Sequence, residues 1–155
     1  RRIAALVSGT EDRSISQLRY QGYVRALAAH GLPLERELVI EAGSFDIRQS
    51  YLAMQRRLLA GARFTALFAI SDNRAMRALR EAGRRIPEDC SVIAIDGLTV
   101  SDYINPTLTT LCQPMEHMGR RSVEILLDMV EHRGGPIRET AHTTLRTGES
   151  VRDIS

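Results

Sequence analysis

Four residues that could bind a ligand each follow a short apolar segment of the chain. They are Arg19, Phe45, Ser71 and Asp96. An arginine can donate two parallel hydrogen bonds, and an aromatic ring can stack on the apolar face of a sugar or a base. A carboxylate such as that of Asp96 can accept hydrogen bonds from vicinal hydroxyls. The set therefore indicates binding of a small molecule.

Each of these residues also has an ordinary structural explanation. Arg19 can be a solvated helix residue, and Phe45 can pack its own loop as a hydrophobic staple. Asp96 can form a turn before the glycine that follows it. Asp72, after the third apolar run, is best explained as a helix N-cap. It is their shared position at predicted strand ends that favours one common cleft.

The motifs of several enzyme classes are absent from the sequence. There is no GxGxxG, GxSxG or HExxH, and a phosphate-binding P-loop needs a lysine that this chain lacks. Cys90 and Cys112 have no metal-ligand spacing, are not placed like nucleophiles, and are expected to be reduced thiols. The four histidines are scattered. We therefore expect no enzyme activity, no metal and no cofactor.

Short apolar runs alternate with amphipathic stretches along the whole chain. Helix-type spacing separates the runs, as in Tyr20, Tyr23, Val24 and Leu27. This alternation predicts an α/β fold with a parallel sheet and helices on both faces, whose ligands bind beyond the carboxyl ends of the strands. The predicted strands cover residues 3–7, 38–40, 65–70 and 91–95, with further extended segments at 108–111 and 140–146.

Length and composition indicate one compact domain. The chain has 155 residues, of which 43% are hydrophobic and 26% are charged. Its apolar runs are far shorter than the roughly 18 residues that cross a bilayer. The net charge is +2, and this excess of positive charge is too small to imply nucleic-acid binding by this chain alone. All 21 basic residues are arginine. Without an initiator methionine or a signal peptide, we expect a piece of a longer cytoplasmic protein.

Several segments together resemble the lactose/galactose repressor (LacI/GalR) family of transcriptional regulators. The resemblance covers essentially the whole chain and includes Arg19-x-x-Gly22-Tyr23 after the first strand. The other segments are TALFAISDNRAMRAL at 65–79, GRRIPEDCSVIAIDG at 83–97, and NPTLTTLCQP at 105–114 followed by Met118-Gly119.

The family resemblance implies an architecture and a function. Family members join a helix-turn-helix head to an effector domain of two α/β subdomains, with the effector between them. Residues 1–112 would form a Rossmann-like C-terminal subdomain of a type I periplasmic-binding-protein-like fold. Residues 113–138 would be a crossover with a helix that normally belongs to the N-terminal subdomain, and 139–155 a return segment and tail. The module would bind an effector and form a homodimer, with no membrane partner and with operator DNA contacted only through the absent head.

The resemblance also assigns individual roles. Arg19, Phe45 and Asp96 match an effector-contacting arginine, an aromatic stacking position and an acidic residue that accepts ligand hydroxyls. Ser71 stands where sugar-binding members often carry Asn or Asp. A serine there offers the ligand one hydrogen-bonding group fewer. Met115 stands near a crossover where some members present an aromatic ring. These residues suit a carbohydrate, a sugar acid or a nucleoside, most simply a sugar or sugar derivative.

The resemblance places a dimer surface on the helix that begins at residue 73 and on the loop 96–103. Met76, Leu79 and Arg80 are the candidate interface residues, and core packing is an equal explanation for Leu79. The apolar face of the helix 115–133 would lack its usual subdomain here. We therefore expect it to find a substitute surface, through exchange between chains or an unusual contact.

Two other functions remain open at this level. A periplasmic-type sugar-binding protein of a transport system would share the cleft and the fold. An α/β enzyme could use Asp96 as a base, although nothing in the sequence favours it. The 87–96 segment and the 147–151 tail resemble regulators more than transport proteins.

Overall fold

Six strands form one sheet in the computed structural model, which describes residues 1–9, 15–71, 76–131 and 137–153. The strands lie in the order β2-β1-β3-β4-β5-β6, and β1 to β5 are parallel, as the alternating pattern predicts. Only β6 pairs antiparallel, with Leu111 opposite Leu145. The bounds are β1 (Ile3–Val7), β2 (Val39–Glu41), β3 (Ala66–Ala69), β4 (Ser91–Asp96), β5 (Thr109–Cys112) and β6 (Thr144–Arg146).

Four α-helices connect the strands among the described residues. They are α1 (Ile15–Ala29), α2 (Ile47–Leu59), α3 (Met76–Glu81) and α4 (Met115–Val130), with 3-10 turns at Arg36–Leu38 and Thr99–Asp102. Asp46 caps α2, because its side chain accepts a hydrogen bond of 2.9 Å from the Gln49 amide. The predicted N-cap Asp72 lies outside the described residues.

Helices cover both faces of the sheet, as predicted. Alternate side chains of a strand point to opposite faces, and β1 shows the consequence. Ala4 and Leu6 belong to a buried cluster that includes residues of α2 and α3, whereas Ala5 and Val7 share a second cluster with residues of α1. The chain between β1 and β3 therefore crosses the sheet on both sides, and every parallel strand ends at the same edge.

Two of the predicted interface residues are buried in the hydrophobic core. Met76 and Leu79 are buried in the cluster beneath α3, so their side chains are not available to a partner chain. Their spacing of three residues places them on the inner face of the helix, which corrects the prediction for both. Arg80 is exposed and stays a candidate.

The tail returns to the amino edge of the sheet. The Ser150 hydroxyl, which is buried, donates to the Val92 carbonyl at 2.6 Å and accepts from the Thr109 amide at 2.9 Å. The Val92 amide in turn donates to the Ser150 carbonyl at 2.7 Å. These bonds connect β4 to β5 and fasten the last segment of the chain to the sheet.

Helix α4 has no buried residue. Its Arg121 forms an ion pair with Glu139, which holds the return segment beside the helix. The assignment of this helix to another subdomain stays a prediction, and so does its substitute surface, whether by exchange between chains or by an unusual contact. Its large exposed apolar residues are Met115, Met118, Val123, Leu126, Leu127, Met129 and Val130.

Candidate functional site

A hydrogen-bonded cluster centred on Asp96 lies at the carboxyl edge of the sheet. Asp96 Oδ1 accepts from Arg19 Nη2 at 2.9 Å and from Gln113 Nε2 at 2.7 Å. Asp96 Oδ2 accepts from the Ser71 hydroxyl at 2.6 Å. The structure thus brings together three of the five predicted ligand residues and adds Gln113.

Each member of the cluster comes from a different element. Arg19 belongs to α1, which follows β1, and its guanidinium reaches across the end of β3 to donate to the Ile70 carbonyl. Ser71 directly follows that carbonyl, Asp96 is the last residue of β4, and Gln113 follows β5. Because β1, β3, β4 and β5 are neighbours in the sheet, the cluster crosses four adjacent strand ends.

The backbone at Asp96 is unusual. Its φ is 130°, a region that L-residues rarely enter. The Asp96 carbonyl accepts from the Gln113 amide at 3.1 Å, and the Gly97 amide donates to Thr110 Oγ1 at 3.2 Å. These bonds to β5 fix the conformation and aim the carboxylate at Arg19. Strained residues of this kind concentrate at functional sites.

Arg19 and Asp96 form an ion pair with little solvent access. Their side chains are 14% and 17% exposed. A carboxylate offers about four lone-pair positions, and the protein already fills three of them here. One position is left for a ligand. Binding of ligand hydroxyls by Asp96 stays a prediction, and this arrangement leaves room for one such hydrogen bond rather than for a pair.

Phe45 lies farther along the sheet edge than the cluster, whereas Met115 meets the cluster through its backbone, because the Met115 amide donates to the Gln113 carbonyl at 2.8 Å. Phe45 follows β2, which lies three strand positions from β4, so about 14 Å of sheet separates the two strand ends. Phe45 is 44% exposed, and Met115 begins α4 with a similarly open side chain. A ligand that contacted both Phe45 and Asp96 would lie across the ends of β1 and β3.

Gln113 is the member that sequence reasoning missed. Arg19, Phe45, Ser71 and Asp96 follow the first four predicted strands, and none of them follows the fifth extended segment. The same rule applied to the fifth extended segment would have selected Gln113, which directly follows it. A glutamine side chain can donate and accept at once, so it can hold Asp96 and still offer an oxygen.

The two cysteines lie outside the Asp96 cluster. Cys90 and Cys112 are both free, and burial raises the pKa of the Cys90 thiol to about 11. No group of three metal-ligating side chains occurs among the residues that the structure describes. Within the same residues, none of the helices is long and apolar enough to cross a membrane.

The model of the periplasmic binding protein-like domain family matches residues 1–151. Among curated relatives, the chain is 36% identical over 156 residues to the transcriptional regulator CelR of Thermobifida fusca, covering 99% of this chain and 44% of that protein. It is 35% identical over 155 residues to the repressor PurR of Vibrio cholerae, covering 97% and 46%. The ribose operon repressor of Haemophilus influenzae is 33% identical over 130 residues, covering 82% and 39%.

Solved structures of LacI-type transcriptional regulators resemble this chain as well. A complex of the regulator CelR with cellobiose superimposes with a TM-score of 0.88 at 36% identity, covering 97% of this chain and 46% of that one. A LacI-family regulator from Sanguibacter keddieii gives 0.87 at 31% identity, with 97% and 58% covered. The chain spans less than half the length of the three curated relatives. It belongs to the periplasmic binding protein-like domain family, in the form carried by LacI-type transcriptional regulators.

Proposed function

We propose that this chain is the effector-binding and dimerisation module of a cytoplasmic LacI/GalR-type repressor that senses a sugar or sugar derivative. The observation that carries the proposal is the cluster of Arg19, Ser71, Asp96 and Gln113 at the carboxyl edge of a parallel sheet. Open parallel sheets bind ligands at this edge. Operator DNA would be contacted by a separate head, since the described residues hold no helix-turn-helix.

The mechanism rests on linkage between two sites. A ligand that binds one closure of the cleft better than another shifts the population toward it, and operator affinity changes by the same coupling free energy. Gln113 is well placed to transmit the change. Its side chain and its amide both bind Asp96, and only Pro114 separates it from the first residue of α4. A ligand at Asp96 would therefore alter the crossover directly.

The apolar face of α4 supports the proposed division of the chain at residues 113 and 139. An amphipathic helix with no buried residue needs a surface outside the described residues. We assign that surface to the part of the regulator that the curated relatives have and this chain does not cover. Residues 1–112 and the tail would then form one subdomain, and residues 113–138 would belong with the other.

The dimer surface proposed here lies around the 3-10 turn after β4. Tyr103 is 83% exposed, and the apolar side chains of Val100 and Leu145 are exposed as well. Arg80 lines a groove with Asn105 and Pro106, just beyond Tyr103 in the chain. An exposed apolar patch with a charged rim is typical of protein interfaces.

The transport alternative receives less support. The three curated relatives reported above are a regulator and two repressors. The enzyme alternative would need a base, and the carboxylate of Asp96 is held by three hydrogen bonds to protein groups. We therefore propose that neither transport nor catalysis is the role of this chain.

A thermal-shift screen of the full-length protein tests the proposed function. Sugars, sugar acids, sugar phosphates, nucleosides and purines form the panel. A ligand at 100 times its Kd adds about 2.7 kcal/mol of stability, enough to raise the Tm by a few degrees. The shift should be lost in Asp96→Ala and reduced in Phe45→Ala. Leu59→Ala, an exposed residue of α2, is the matched control and should keep it.

The screen also has a clear negative result. If no compound of any class shifts the Tm, the proposal of a small-molecule effector fails. If a compound shifts the Tm equally in wild type and Asp96→Ala, the site is elsewhere in the protein.

A further inference from the structure

We propose that Arg146 is a positioning residue for dimerisation, because it holds both ends of the 3-10 turn Thr99–Asp102, called here the dimer turn. The proposal rests on the proposed function, in which the surface around this turn joins two copies of the chain. It adds that a residue of the returning tail, outside the Asp96 cluster, determines how tightly the two copies associate.

The guanidinium of Arg146 contacts the dimer turn at its start and at its end. Nη2 donates to the Leu98 carbonyl at 2.9 Å, and Nη1 donates to Asp102 Oδ2 at 3.1 Å. The Leu98 carbonyl also accepts from the Ser101 amide at 3.0 Å, which is the first hydrogen bond of the turn. Asp102 is the last residue of the turn. A planar group with several fixed donors can therefore set the orientation of the whole turn.

The exposed side chains of the proposed interface move with this turn. Tyr103 directly follows Asp102 and is 83% exposed, and Val100 within the turn is exposed as well. The Tyr103 amide donates to the Val100 carbonyl at 3.1 Å, so the two backbones are joined. Exposed tyrosines are enriched in protein interfaces, where their placement decides affinity. Tilting the turn would displace both side chains together.

The backbone of Arg146 is itself held on two sides. Arg146 lies opposite Thr110 in the pairing of β6 with β5. Two residues later, the Gly148 amide donates to Thr109 Oγ1 at 3.0 Å. A Cβ at Gly148 would lie 2.5 Å from the Thr107 carbonyl oxygen, so the tail runs directly against the backbone there. The side chain of Arg146 thus reaches the dimer turn from a fixed base.

Arg146 is a costly choice for the fold alone. Its Nε is enclosed and has no hydrogen-bond partner in the part of the chain that the structure describes. An enclosed donor without a partner destabilises a protein. The side chains of Arg146 and Asp102 are 32% and 47% exposed, and ion pairs with this much solvent access add little stability. An apolar residue of similar length would suit the fold as well. The side chain therefore serves the position of the turn more than the stability of the subdomain.

Arg146→Met in the full-length protein tests this role. The unbranched methionine keeps most of the length of the side chain and removes its contacts to the turn. We expect the dimer dissociation constant, measured by sedimentation equilibrium over a dilution series, to rise roughly tenfold or more, as for loss of a strong interface residue. In the monomeric Tyr103→Asp background the same substitution should leave the Tm unchanged or higher. Arg25→Met, the same change at an exposed position of α1, is the matched control and should alter neither value.

Two further variants separate the clamp from the charge of the arginine. Arg146→Lys keeps the charge, but one ammonium group cannot hold both ends of the turn, so it should weaken the dimer as Arg146→Met does. Asp102→Asn combined with Arg146→Met should dimerise no more weakly than Arg146→Met alone, because the partner of Asp102 is already gone.

The outcomes distinguish the role of Arg146 from the proposed function. Wild-type dimer affinity in Arg146→Met or Arg146→Lys would overturn the clamp, and so would a further loss in the double variant. A lower Tm of Arg146→Met in the monomeric background would make Arg146 a residue of the fold and overturn its positioning role. These results leave the proposed dimer surface standing. A wild-type protein that is monomeric at every concentration, or a Tyr103→Asp variant that stays dimeric, would refute that surface and the role of Arg146 with it.

Discussion

Replacing Gly97 by alanine should damage both the fold and the Asp96 cluster. Gly97 has a φ of 76°, and a Cβ there would lie 2.5 Å from Cys112 Sγ and 2.6 Å from Cys112 Cα. The left-handed conformation costs an L-residue roughly 1–2 kcal/mol. Relieving contacts that include the backbone of β5 adds about 1–3 kcal/mol. We expect Gly97→Ala to lower the free energy of unfolding by about 2–5 kcal/mol.

Gly31 provides the matched control. Its φ of 65° is similar, but nothing lies within 4 Å of an added Cβ. Gly31→Ala should therefore cost only the conformational part, about 1–2 kcal/mol. Urea denaturation of the full-length variants, with the midpoint and slope compared, measures both values. Equal effects of the two substitutions would refute the argument that close approach of β4 and β5 requires glycine at position 97.

Three further predictions concern other parts of the chain. Tyr103→Asp should convert a dimer into monomers in sedimentation velocity, because it puts a charge into the proposed interface; an unchanged dimer would contradict that surface. Iodoacetamide at pH 8 should label Cys90 only after unfolding, because burial excludes the reagent and raises the thiol pKa to about 11; mass spectrometry showing rapid native labelling would contradict this. The Arg85 side chain and amide lower the pKa of Asp89, so its contribution to stability is present above its ordinary pKa and is lost as the pH falls below about 4. Asp89→Asn should therefore flatten the decline of the Tm as the pH is lowered from 4, and an equally steep decline in the variant would argue against the pair.

The sheet and most of its helices could be predicted because their signals are local. Each parallel strand is a short run of apolar residues, and each helix repeats apolar residues at spacings of three and four. The start of α2 also has a local signal, because Ser44 and Asp46 can both cap a helix that begins at Ile47, and the structure selects Asp46. The shared edge of the strands then follows from the parallel arrangement, which is why Arg19, Ser71 and Asp96 could be placed together without coordinates.

Features that depend on pairing between distant segments could not be predicted. The antiparallel direction of β6 is set by how the chain returns after α4. The hydrogen bond from Gln113 to the Asp96 carboxylate depends on the register of β4 and β5, which places Gln113 beside Asp96. Periodicity also cannot separate an interface from a core, so Met76 and Leu79 could not be assigned before their burial was known.

Binding of the effector by the Asp96 cluster is the step on which the proposed function depends. A crystal structure of the full-length protein with a neutral sugar that raises its Tm tests it most directly. We expect one ligand hydroxyl within about 3 Å of the Asp96 carboxylate and of the Arg19 guanidinium, with the sugar extending toward Phe45. A sugar bound away from the strand ends, for example in the groove between α4 and Glu139, would contradict effector binding by the Asp96 cluster.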